Sequence, residues 1–397
     1  MATNLRTDAV APARAEARRV AGLDGLRGLA ALYVVLFHCW LLTFPGFPAN
    51  SGPAWLGWLM YGRLAVVFFL ALSGFSLALP AAAAGWRLSS LTRFARRRAW
   101  RILPPYWAAL AISLVIAVTV VPASHFGPPT GRTVVVYGLM LQDLLVAPTP
   151  NGSFWSIAVE AELYVIFPLL VLLHRRLGAV GVLALGVVPV VTVGLWAGTP
   201  VEGLNHLALN LAPVFVAGMV AAGVVTAGEQ VRRIPWHWLS LLAGVPVLAL
   251  IVLRGSVWTV NHFFWVDLAV APSMVLFTMA VAVGRPPILR RLLDSAPVRT
   301  LGSVSYSLYL INMPIVMVVS RKVAAPYAGS GMRAFLVTLL LAAPLSVLSA
   351  WLFAKAFELP FQRYRSWREL VTGVRWLSRR RDGGTSGSRT APPARSP

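Results

Sequence analysis

Arg27 and His38 lie eleven residues apart in the apolar run GLDGLRGLAALYVVLFHCW. They are the pair in this chain most obviously spaced for joint chemistry. Eleven steps of about 100° return both side chains to one helix face, about 16 Å apart along the axis. A guanidinium can hold an anion, and an imidazole can take a proton near neutral pH. The same two residues also serve as a cationic anchor and a histidine hydrogen-bonded to a neighbouring helix. Cys39 adjoins His38, but helix neighbours do not face each other, so the two do not form a nucleophile pair within this segment.

Three further runs carry ionisable or polar groups where an apolar span resists them; a charge at a span centre costs about 2.5 to 3.5 kcal/mol on insertion scales. In NGSFWSIAVEAELYVIFP, Glu160 and Tyr164 share a face one turn apart and Glu162 points elsewhere. Glu160 and His38 lie at similar distances from the ends of their runs. A buried carboxylate at that depth would orient the imidazole and raise its basicity, an arrangement that serves general-base chemistry. Asp267 in NHFFWVDLAV has a comparable position, and Ser305, Tyr309 and Asn312 in LGSVSYSLYLINMP step by four and three along one face. Each of these is also the kind of residue that bonds one helix to the next.

A basic stretch, WRLSSLTRFARRRAWRILPPYW, ends in Pro104 and Pro105, which stop or kink a helix. Arg98 and Arg101 are three apart, so both can grip one anion; positive-inside topology or lipid headgroup contact would use the same arginines. Set in line with the Arg27 and His38 face, they favour a ligand with phosphates at one end and a reactive group on a long arm. Coenzyme A has that shape.

The elements that must position these residues are membrane spans. The chain has 397 residues, 58% hydrophobic and 12% charged, a composition outside the range of soluble domains. Apolar stretches fall at about 24–43, 61–80, 105–121, 155–173, 179–196, 205–226, 237–253, 262–283, 301–320 and 333–356. The predicted fold is an all-α polytopic membrane protein of about ten transmembrane helices. The net charge of +22 would fit nucleic acid, but the charges lie between the apolar runs. With a cytoplasmic amino terminus, 29 of the 35 cationic residues fall on the cytoplasmic side, and an even number of spans returns the carboxyl terminus there. The expected organisation is a basic cytoplasmic segment over 1–20, a membrane domain over 21–365 and a basic, largely disordered cytoplasmic tail over 366–397. The first apolar run is too long for a signal-peptide core and is expected to stay uncleaved. The long connection 122–153 contains VVVYGLMLQDLLV, an interfacial or re-entrant piece. A single Cys excludes a disulfide framework within the chain, and no metal site is expected.

Five motifs in order carry a resemblance. They are the Arg27 and His38 pair, FFLALSGF with Ser73, RRAWRILPPYW with Arg98 and Arg101, FWSIAVEAELY with Trp155, Ser156, Glu160 and Tyr164, and the closing pair LGSVSYSLYL and FELPFQRY. From Gly22 to about Tyr364 the sequence resembles the acyltransferase-3 family of integral membrane O-acyltransferases. The resemblance implies transfer of an acyl group, commonly acetyl, from cytoplasmic acyl-CoA to a hydroxyl of a saccharide or other acceptor. It also implies a plasma-membrane location and acyl-CoA as a co-substrate rather than a resident cofactor.

By position, the resemblance makes His38 the candidate base with Glu160 beside it, and gives donor phosphates to Arg27, Arg98 and Arg101. Ser73, Trp155, Tyr164, Tyr309 and Asn312 would line the substrate pocket, with Ser73, Tyr309 or Asn312 donating to the oxyanion. Direct attack by the acceptor and an acyl-enzyme on His38 are both open. The chain departs from the family at Asn312, where a second His often precedes the Pro, and an amide cannot take a proton at neutral pH. Some members carry an additional esterase-like domain, for which this chain leaves no room. The competing class is a proton-coupled secondary transporter, against which stand the arginine cluster and the lack of related halves. The 33 Arg against two Lys indicate a GC-rich genome, and the acceptor is expected to be an envelope carbohydrate or a secreted macrolide-type metabolite.

Overall fold

The computed structural model describes residues 20–121, 128–196, 208–364 and residue 369. Apart from Val20 and Glu369, the expected amino-terminal segment and tail lie outside the described residues, as does 122–127 in the long connection. Among the described residues the chain is helical with no strand, and eight helices are long and apolar enough to cross a membrane. They are α1 (Leu23–Leu41), α2 (Gly62–Ala83, entered through the 3₁₀ turns Ala54–Tyr61), α3 (Leu91–Thr119), α4 (Trp155–Trp196), α6 (Trp236–Asn261), α7 (Phe263–Val283), α8 (Ser305–Val319, running on to Ala328) and α9 (Met332–Phe353, running on to Arg363). A shorter apolar helix, α5 (Leu211–Thr226), joins them.

Helix α4 has 42 residues, which at 1.5 Å each is about 63 Å, twice the thickness of a hydrocarbon core. Gly178 breaks it at φ 72° and ψ −175°, a conformation a side chain would resist. Divided there, α4 contains two of the ten predicted stretches, and each of the other eight coincides with one helix. Helix α3 passes through Pro104 and Pro105 without stopping. Pro105 is buried, and packing at that point offsets the lost backbone bonds. The basic stretch and the span after it are therefore one rod, capped by Ser90, whose hydroxyl accepts from the Arg93 amide.

The helices are not equivalent. About two thirds of the spans containing α1, α2 and α8 are buried within the protein, 61%, 67% and 61%, against 11% for α4 and 17% for α6. The first three form the centre, and they carry His38, Ser73 and Asn312. Glycines set the close approaches at that centre. A Cβ on Gly74 of α2 would run into the Phe215 carbonyl, and one on Gly218 of α5 into the Ala71 carbonyl. Reciprocal small residues of this kind let helix backbones touch, and here they fix the depth of Ser73. Gly28 and Gly302 make the same kind of contact between α1 and the short helix Ala296–Ser303.

Candidate active site

His38 lies three residues from the end of α1 and is 6% exposed. Its Nδ1 sits 2.5 Å from Oδ1 of Asn312 on α8. The amide nitrogen of Asn312 donates to the carbonyls of Leu308 (2.9 Å) and Tyr309 (2.8 Å). With both amide protons committed, Asn312 presents an acceptor to the ring, so Nδ1 carries the hydrogen and Nε2 carries the lone pair. Nε2 has no hydrogen-bond partner among the described residues. Phe37 lies against the imidazole, with ring centroids 5.2 Å apart. This is an oriented imidazole with one nitrogen left free among the described residues.

The amino-terminal half of α4 runs away from this point as a polar stripe. Ser156, Glu160 and Tyr164 are spaced by four, so they share a face over about 12 Å. Ser156 Oγ is 2.6 Å from the Tyr309 hydroxyl. Ser73 donates to Glu160 Oε1 at 2.7 Å and lies 2.7 Å from the Tyr164 hydroxyl, which also bonds Glu160. Glu160 is therefore occupied by Ser73 and Tyr164, while Asn312 is the group that orients His38. The imidazole partner expected from the matching depths of Glu160 and His38 is an amide instead, because α8 lies nearer that side of the ring than α4 does.

At the far end of the stripe are three arginines. Arg27 is held by Asp24 (2.9 Å) and Ser76 (2.5 Å). Arg98 stands over the ring of Tyr164 at 5.6 Å and that of Phe94 at 5.9 Å, and its buried Nε has no partner. Arg101 is exposed and makes no hydrogen bond among the described residues. The three guanidinium groups are in electrostatic reach of one another, and Arg27 and Arg98 of Glu160. Glu358, within reach of Arg101, accepts from Ser307 (2.5 Å) and Gln362 (2.8 Å). Glu160 Oε1 and both oxygens of Glu358 are thus engaged by hydroxyls and an amide, while N–H donors of Arg98 and Arg101 are left over among the described residues. A surplus of charged donors is a site for an anion.

The structure brings His38, Asn312, Tyr309 and Ser156 together at one end, and Arg27, Arg98, Arg101, Tyr164, Glu160 and Ser73 toward the other. Trp155 precedes Ser156 on α4, its ring 5.0 Å from the Arg63 guanidinium. Asp267, fully buried, pairs with Arg63 at 2.8 Å. Glu162 is exposed, and Cys39 is buried. Ser76 and Glu358 were not singled out from the sequence. Ser76 closes the SGFS step after Ser73, and Glu358 is the carboxylate of FELPFQRY, where an acid at the end of an apolar run was the available signal. Among the described residues, no three His, Cys, Asp or Glu side chains are grouped to hold a metal ion.

Comparison with known proteins bears on the chain as a whole. A family model described as an acyltransferase domain matches residues 20–355. The O-acetyltransferase OatA of Staphylococcus aureus is 24% identical over 330 residues, covering 76% of this chain and 51% of that protein. The peptidoglycan O-acetyltransferase OatA of Listeria monocytogenes is 23% identical over 322 residues, 75% of this chain and 49% of the relative. The chain spans about half the length of the curated relatives it matches. No solved structure matches it.

Proposed function

Because the chain belongs to the acyltransferase-3 family, we propose that it moves a short acyl group, acetyl foremost, from acyl-CoA to a hydroxyl of a carbohydrate acceptor. The observation that carries this reading is the alignment of a free His38 Nε2 with uncommitted arginines at the other end of one polar stripe. Two relatives, one named an O-acetyltransferase and one a peptidoglycan O-acetyltransferase, favour a saccharide over a macrolide-type metabolite. The cationic excess between spans supports a plasma-membrane protein with the arginine end and both termini in the cytoplasm. Acyl-CoA then enters from the cytoplasm, with Arg27, Arg98 and Arg101 on its phosphates and its pantetheine arm along Ser73, Glu160 and Tyr164.

At His38, Nε2 removes the proton of the acceptor hydroxyl as that oxygen attacks the thioester carbonyl carbon. The carbon–sulfur bond breaks, and the departing thiolate takes the proton back from Nε2. Asn312 has no amide proton to spare for the oxyanion and Ser73 is turned to Glu160, so the donor is the Tyr309 hydroxyl, which rests on Ser156 and turns from it as the oxyanion forms. Direct transfer follows from the single free nitrogen. An acyl group placed on Nε2 would remove the base needed to activate the acceptor.

The test is binding of coenzyme A to the purified full-length protein in detergent. The Arg98→Ala/Arg101→Ala variant is expected to bind at least about 10-fold more weakly, since a hydrogen bond to a charged group contributes about 1.5 to 3 kcal/mol. His38→Ala is expected to bind as wild type. No binding by folded wild-type protein overturns the reading.

A further inference from the structure

Arg63 belongs to neither end of the stripe, yet it is built into the molecule with care. It begins α2 directly after Gly62, which packs so closely on Phe37 that a Cβ there would overlap the ring. Phe37 is the residue before His38, so Arg63 enters the fold beside the turn of α1 that carries the imidazole. Its Nε donates to Asp267 Oδ2 at 2.8 Å. Asn210 Nδ2 donates to that same oxygen at 2.8 Å. Asp267 and Asn210 are both fully buried.

The guanidinium carbon lies 5.0 Å from the Trp155 ring centroid and 5.2 Å from that of Phe263. Its two terminal amino groups have no hydrogen-bond partner among the described residues, and the side chain keeps 21% of its surface exposed. The next residue along α4 from Trp155 is Ser156, the partner of Tyr309, and Arg63 is in electrostatic reach of Tyr309.

Two oxygens complete the set: Asp267 Oδ1 and Asn210 Oδ1 are buried and have no hydrogen-bond partner among the described residues. A buried acceptor without a donor is destabilising, and a group that supplies the donor removes that penalty. The cluster thus offers one charged N–H fork with two free amino groups, two unfilled acceptors and two aromatic rings. Because the guanidinium charge is already matched by Asp267, the cluster is near neutral and has little attraction for an anion. Hydroxyl groups accept from the fork and donate to the open oxygens, and the apolar edge of a sugar ring covers an aromatic face.

We propose that Arg63, Trp155 and Phe263, with Asp267 and Asn210 as positioning residues, form the acceptor subsite and bind a neutral, hydroxyl-rich saccharide. This deepens the proposed function and rests on it. In the proposed orientation the subsite opens on the non-cytoplasmic side, next to His38 and opposite the donor arginines.

The test titrates full-length protein with N-acetylglucosamine tetrasaccharide, with a carboxylate-bearing N-acetylmuramic acid oligosaccharide of equal length, and separately with coenzyme A. Wild type is expected to bind the neutral sugar. Arg63→Lys, which keeps the charge beside Asp267 but loses the fork, is expected to bind it about 10-fold more weakly with unchanged coenzyme A affinity and melting temperature. Trp155→Leu, which spares the ion pair, provides a second variant with the same expected weakening. Equal sugar binding by wild type and both variants overturns the subsite, as does the absence of sugar binding by wild type. Binding of the carboxylated sugar alone overturns the neutral class. Failure of coenzyme A to bind, with sugar binding and its Arg63 dependence intact, counts against the donor reading and leaves the subsite standing.

Discussion

The His38 end and the arginine end of the polar stripe solve opposite problems. At His38 almost everything is committed: Nδ1 to Asn312, the Asn312 amide to two carbonyls, Tyr309 to Ser156. One nitrogen remains. At the arginine end the carboxylates are engaged by hydroxyls and an amide, and the cationic donors of Arg98 and Arg101 are left over. The difference underlies the proposal that one end does chemistry and the other holds a ligand. A base has to be held in one orientation before the substrate arrives. A flexible diphosphate is better met by several long side chains that can adjust, each on its own rotatable stem.

Changes at the two ends should therefore separate. The largest effect is expected from His38→Ala: transfer falls about 10²- to 10⁴-fold, the usual contribution of a general base, while coenzyme A affinity stays within about twofold in the same preparation. Equal losses in both quantities would merge the two ends into one site. Next comes Asn312→Leu, which leaves the imidazole in place but unoriented. The turnover number should drop about 10- to 100-fold, as when an orienting partner is removed from a functional histidine, with the KM for acyl-CoA unchanged; a rise in that KM would mean that Asn312 serves the donor.

The smallest effect concerns a carboxyl outside both ends. Asp143 lies in the connection before α4, outside the spans, is 8% exposed, and its Oδ2 has no partner among the described residues. Burial first, and Glu162 second, push its carboxyl up to about 7. The folded protein then holds this proton where the unfolded chain has lost it, so stability declines as pH rises from about 4 to 7. Asp143→Asn should raise the melting temperature of the purified protein at pH 8 and should lose that advantage as pH falls toward 4. A pH-independent gain would assign the effect to packing instead.

All ten apolar stretches were legible, because about 20 apolar residues in a row have few other uses. The shared face of Arg27 and His38 was legible too, since helical periodicity is local. Glu160 shows where legibility ended. Depth along a span can be read from one sequence, but rotation about the helix axis relative to a neighbour cannot; it is set by contacts such as Gly74 on Phe215. Rotation decides that Glu160 turns to Ser73 and that Asn312 reaches His38. Nothing local in the sequence joins Arg63 to Asp267 for the same reason, since the two are 204 residues apart.

The amide of Asn312 has a consequence beyond orientation. Behind Nδ1 stands a side chain that accepts one hydrogen bond and has no titratable proton to pass on. The imidazole is therefore a cul-de-sac: whatever hydrogen arrives at Nε2 must leave by the same door. A pump or an exchanger needs a thoroughfare, with titrating groups on both sides of the membrane's midpoint. With Asn312 at this position, Nδ1 has no titrating neighbour to hand a proton on to, which is what the proposed transfer requires and a relay across the bilayer forbids.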